Sequence, residues 1–194
     1  MGLNIEDGTG KGYLVKVNSD NEISAESVVH ELQHHISRNR AEVYQVIGGS
    51  SNITAGVNTL LHITNNSSNL HIVVSYIRLQ VPELDGTSVV NFETYFQLGT
   101  GTEYLSNGSE AGVVNMNFSS GNVADLSAYK NKPSLLGSFT EFDRWYPDTS
   151  MMTFSKSGSI IMSRGDSLEV RLVTDQLSGV AYCRVTLFFM DLSS

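Results

Sequence analysis

With 194 residues, 20 acidic and 12 basic side chains and a net charge of −8, the chain can bury one sizeable core but lacks the basic stripe that a nucleic-acid partner needs. The single cysteine, Cys183, excludes an internal disulfide, and its place in the apolar run VAYCRVTLFFM predicts a small buried hydrophobe. No stretch approaches the roughly 18 apolar residues of a membrane span, and MGLNIEDGTG lacks a basic region followed by an apolar run, so a soluble, unexported protein without a membrane partner is expected.

Residues 1–12 hold four glycines and almost no large apolar side chain before Tyr13. Such a stretch cannot bury enough surface to hold itself folded, and 1–22 is expected to form an arm that rests on something else. Within it YLVKV reads as a short strand, and NSDN, whose short side chains bond their own backbone, as a tight turn. GTGKG at Gly8–Gly12 is no phosphate loop: the preceding strand and longer spacer are missing, and Tyr13 stands where Ser or Thr must follow the lysine.

From Ser24 the period changes. Ala25, Val28, Val29, Leu32 and Ile36 fall on one helical face, Ser24 can cap it, and Glu26 suits the positive first turn. A helix over about 24–36 is predicted, within a helix and linker segment spanning 23–40. It contains HELQH at His30–His34, the spacing in which two imidazoles one turn apart bind zinc and a glutamate activates water. A catalytic zinc needs a third protein ligand, which HISRNRAEVY does not supply; Glu42 is the nearest candidate, and it falls on an expected strand. No sheet precedes the motif to form a substrate edge. No metal site, cofactor or enzymatic activity is therefore expected, and a zinc hydrolase stays as a remote alternative.

Beyond residue 40 strands come in quick succession: AEVYQVI, NTLLHIT, LHIVVSYIRLQV, SVVNFETYFQL, VVNMNF, SLLGSFTEF, SIIMS, SLEVRLVT and VAYCRVTLFFM. Turn chemistry such as GGSSN, NNSSN, LDG and SSGN separates them. In SVVNFETYFQL, Val90, Phe92, Phe96 and Leu98 share one face while Asn91, Glu93 and Gln97 share the other. LHIVVSYIRLQV is apolar on both faces and is expected inside a sheet. Eight or nine strands without a βαβ rhythm predict an all-β fold, a jelly-roll-like antiparallel β-sandwich over residues 41–194. Residues 119–136 read as a long loop with a helical turn around Asp125–Tyr129, a place where partners usually touch.

Two further motifs have ordinary readings. RGD at Arg164–Asp166 lies between SIIMS and SLEVRLV, where Gly165 and Asp166 make a turn. The aromatic cluster FTEFDRWYPD (Phe139, Phe142, Trp145 and Tyr146) fits core or a subunit interface better than a sugar platform.

The run IEDGTGKGYLVKVNSDN, leading into a polar segment and then AEVYQV, resembles the N-terminal signature of a group of tailed-bacteriophage virion proteins. Asp7, Gly8, Gly10, Gly12, Lys16, Val17, Asn18, Asp20 and Asn21 fit that pattern; Val15 and Ile23 stand where it has a small residue and a leucine. The likeness covers about the first quarter of the chain. It implies a structural protein of the particle, made in the host cytoplasm and located on the virion. The residues that would bind the partner are those of the arm, the nine above with Tyr13, Leu14 and Val15, whose YLVKV could add a strand to a neighbour's sheet edge. The favoured expectation is a capsid decoration protein, a homotrimer that bridges major capsid protein subunits. The alternative is a collar, adaptor or fibre-anchoring protein at the neck, tail or baseplate.

Overall fold

A computed structural model describes residues 42–84, 94–101, 108–131, 138–147, 151–176 and 178–191. The arm, the predicted 24–36 helix, HELQH and the GTGKG stretch lie outside them, as do residues 85–93 with Val90, Asn91, Phe92 and Glu93. Every regular element among the described residues is a strand: β1 Val43–Ser50, β2 Gly56–Asn65, β3 His71–Leu84, β4 Tyr95–Thr100, β5 Ser109–Glu110, β6 Gly112–Asn115, β7 Leu126–Lys130, β8 Thr140–Trp145, β9 Met151–Met162, β10 Ser167–Thr174 and β11 Gly179–Met190.

The strands form two antiparallel sheets. One is ordered β6-β1-β11-β3-β9, the other β5-β7-β2-β10-β4-β8. Pairing is nested: β1 with β11, β2 with β10, β3 with β9 and β4 with β8. A long hairpin rolled over itself gives this order, so the sandwich is a jelly roll. Strands β5, β6 and β7 are an insertion between β4 and β8. They widen both sheets on the side of β1 and β2.

The core follows from period-2 alternation corrected by bulges. On β10, Leu168, Val170 and Leu172 point inward, and on β11 Ala181, Cys183, Val185, Leu187 and Phe189 do; all are buried. Each large aliphatic side chain removed from water contributes roughly 1.5–3 kcal/mol. Between Val170 and Arg171 the register slips against β2, and the extra residue, Leu60, turns inward beside Leu61. A second slip on β3 inserts Ser75 between Val74 and Tyr76. Burial pushes the Cys183 thiol well above its ordinary range, in keeping with its reading as a small hydrophobe.

The flank opposite the insertion is closed by contacts between sheets. Trp145 of β8 stacks on Phe154 of β9 with ring centroids 3.9 Å apart and planes 8° from parallel, while Lys156 donates to Asp143 at 2.6 Å.

Some sequence-based boundaries shift. The helical turn expected around Asp125–Tyr129 is instead strand β7. It pairs with the edge of β2 through His62 and Tyr129, Ile63 and Ala128, and Thr64 and Ser127, because an open strand edge offers 126–130 a ladder of backbone partners. The strand expected over VVNMNF stops at Asn115. Beyond it the carboxamides of Asn115 and Asn117 accept from the amides of Asn117 (2.8 Å) and Ser119 (3.2 Å), so side chains replace the ladder. Strand β9 starts earlier than SIIMS, at Met151, with Met152 and Phe154 packed against the core.

Candidate docking surface

The predicted partner-binding residues of the arm (Asp7, Gly8, Gly10, Gly12, Tyr13, Leu14, Val15, Lys16, Val17, Asn18, Asp20 and Asn21) lie outside the described residues. Within them, two features fit contact with another molecule. One is the outward face of the five-stranded sheet; the other is the insertion.

Strand register lays the outward face of the five-stranded sheet out in rows running from β1 across β11 and β3 to β9. The first is Val43, Phe188, Val73 and Ile161; the second Gln45, Thr186, Tyr76 and Ser155; the third Ile47, Arg184, Arg78 and Thr153; the fourth Gly49, Tyr182, Gln80 and Met151. Val43, Phe188 and Val73 form a small buried cluster of their own with Met190 against it, while Ile161 is half-exposed. No Asp or Glu occurs in any of the four rows.

The third row sets Arg78 directly opposite Arg184, and neither guanidinium has an ion pair or side-chain hydrogen bond among the described residues. Like charges facing each other across a ladder destabilise it. Both arginines line a shallow groove of about 300 Å³ with Ile47, Gln80, Met151 and Tyr182. Tyr76, Tyr182 and Met151 each expose much of their apolar surface beside it. The surface combines two cations with aromatic and thioether side chains. It can take an anionic group that has an apolar neighbour.

On the insertion, the turn after β6 is held by its own hydrogen bonds. Besides the two asparagine contacts above, Ser120 N donates to Asn117 O at 2.9 Å, Asn122 N to Ser120 Oγ at 3.0 Å, and Asn115 Nδ2 to Asn122 O at 3.1 Å. This ordered turn presents Phe118 at 84% exposure and Val123 at 89%. Met116 is also exposed on this turn, and Val113 and Val114 are exposed on the strand that leads into it, one to each side of the sheet. Two exposed carboxylates belong to the same insertion, Glu110 on β5 and Asp125 just before β7. Met116 N donates to Val43 O at 2.8 Å and so ties the turn to the apolar first row of the sheet face.

The outward face of the six-stranded sheet is built differently. Glu169 and Arg171 are ion-paired and buried there, Thr59 Oγ1 donates to Glu169 Oε1 at 3.0 Å, and His62 stands opposite Glu169 in the register. The Phe139 ring covers the Arg171 guanidinium at 3.6 Å from its centroid. Glycine is required at position 99, where a Cβ would meet the Phe139 ring at 2.3 Å. Arg144 grips Glu141 with two hydrogen bonds of 2.7 and 2.8 Å and lies over the Tyr95 ring.

The aromatic cluster is thus divided: Trp145 packs against the core, Phe139 caps a buried arginine, and Phe142 and Tyr146 remain half-exposed. RGD forms the connection between β9 and β10. Gly165 takes φ +82°, and Asp166 Oδ2 accepts from Ser163 N at 2.8 Å, so the aspartate is spent on its own turn. Sequence reasoning passed over Arg78 and Arg184. The signal it could have used is a repeated Tyr-x-Arg, Tyr76-Ile77-Arg78 and Tyr182-Cys183-Arg184, on two strands whose alternation turns Tyr and Arg to the same side. Compared with known proteins, the chain matches no family model and no curated relative.

Proposed function

We propose that this protein is a structural component of a tailed-bacteriophage virion: a trimeric capsid decoration protein, made in the host cytoplasm, that binds major capsid protein subunits and stabilises the shell. The reading rests on the N-terminal run IEDGTGKGYLVKVNSDN and on the sandwich that follows it. The geometric observation that supports it best is the ordered turn presenting Phe118 and Val123 to solvent. Burying one such side chain in a contact is worth roughly 1.5–3 kcal/mol, and little ordering cost remains when the loop already holds its own shape.

In this reading the sandwich is the rigid body and the arm is the attachment. YLVKV adds main-chain hydrogen bonds to a sheet edge of the shell, while the turn at NSDN sets where the added strand ends. Tyr13, Val15 and Val17 alternate with Leu14 and Lys16, so one side of the strand can meet the neighbour's surface.

The test is reconstitution on particles stripped of the protein. Full-length chain is expected to bind over the whole shell and restore its heat resistance, and a chain lacking residues 1–21 is expected to fold and fail to bind. Unchanged binding by the truncated chain would refute the attachment role, and label confined to one vertex would refute the placement on the shell.

A further inference from the structure

We infer that copies of this chain bind one another head to tail, the insertion turn of one copy seating its Phe118 and Val123 on the Arg78–Arg184 face of the next. The inference deepens the oligomeric part of the reading above, yet it rests on two surfaces that need no particle to be tested. Each surface is incomplete alone, and each supplies what the other lacks.

The insertion offers exposed apolar side chains held on a preformed turn, with the Asp125 carboxylate close to Val123 and that of Glu110 elsewhere on the same insertion. Neither carboxylate has a side-chain partner among the described residues, and the one cation of the described insertion, Lys130, is half-buried on β7. The sheet face offers the reverse, two facing arginines without a carboxylate in four rows, beside the exposed surfaces of Tyr76, Tyr182 and Met151. Arg78 and Arg184 need an anion to relieve their repulsion, and Phe118 and Val123 need apolar cover. In a molecule with a net charge of −8, a carboxylate-free basic spot is the natural landing place for another acidic copy.

The geometry is that of a heterologous contact. The turn is anchored to β1 through Val43, at a margin of the very sheet whose face would receive it, so both surfaces are carried by one sheet. A contact between two different surfaces of one sheet rotates each copy relative to the last. Such heterologous contacts close into cyclic oligomers when the rotation permits and form filaments otherwise.

The experiment uses purified full-length protein and reads mass by sedimentation velocity across a concentration series. Wild type is expected to be a discrete oligomer. The face variant Arg78→Glu/Arg184→Glu and the turn variant Phe118→Ser are each expected to weaken self-association by at least about tenfold. At concentrations low enough for wild type to dissociate, their thermal melts should stay close to that of wild type, because all three positions are exposed. Mixing the two monomeric variants is the decisive step: the sound turn of the first can still seat on the sound face of the second, so a one-to-one heterodimer should form. Wild type that stays monomeric in the micromolar range, variants that associate as wild type does, or a mixture that yields no heterodimer would each overturn the inference. Oligomers that pass these tests yet fail to bind stripped particles would overturn the virion reading alone.

Discussion

The outward faces of the two sheets obey the same cross-strand rules and reach opposite results. On the six-stranded sheet, Glu169 stands two residues from Arg171, the pair is buried, and Phe139 lies over the guanidinium. On the five-stranded sheet, register brings Arg78 against Arg184, both exposed, with no carboxylate in the neighbouring rows. The first face satisfies its charges inside the chain. The second leaves its two arginines without a carboxylate among the described residues, which is the physical difference between a face closed on itself and a face open to contact.

The largest effect should come from the satisfied face. Replacing Arg171 by Met leaves Glu169 fully buried without its cation, and breaking such a pair destabilises by roughly 3–5 kcal/mol. Urea unfolding should report the loss directly. A change below about 1 kcal/mol would mean that Glu169 is relieved by other groups, and the contrast between the faces would weaken.

The open face should respond with the opposite sign. Converting Arg78 and Arg184 together to Gln removes a like-charge pair and should raise monomer stability by about 0.2–1 kcal/mol in urea unfolding at low salt. The gain should shrink as salt screens the repulsion. Destabilisation on this substitution would show that the arginines are engaged within their own chain, and the face could no longer be read as unfinished.

Much of this was legible in the sequence, and the part that was not has identifiable causes. Alternation located the strands and the inward residues Phe96 and Leu98, and the absence of a βαβ rhythm pointed to a sandwich. Bulges defeated simple alternation at Leu60 and Ser75, since one extra residue moves every later side chain to the other face. Strand β7 was missed because Leu126–Lys130 is a strand by virtue of the open edge of β2, a partner more than sixty positions away. The arginine pair was hidden for a related reason: each Tyr-x-Arg looks like an ordinary solvated strand position until register sets the two opposite each other. Register is a property of two strands, and a pass along one strand does not contain it.

The smallest expected effect separates the faces by pH. The hydrogen bond from Arg144 holds the Glu141 carboxyl below its ordinary value of 4.5; partial burial opposes this, while the charge of Arg144 and the hydrogen bond from Gln97 reinforce it. A carboxylate whose folded pKa is depressed stabilises the fold above its unfolded pKa, and that contribution is lost as pH falls through the folded value. The stability difference between wild type and Glu141→Gln should therefore be constant near neutrality and shrink below about pH 4.5. It should be small throughout, because both partners are substantially exposed to screening solvent. The effect of Arg78→Gln/Arg184→Gln should show no such acid-dependent change, since no carboxylate among the described residues faces those arginines. A carboxyl titration by NMR that places Glu141 at or above 4.5 would remove the first half of the contrast, and an acid-dependent change in the arginine variant would remove the second.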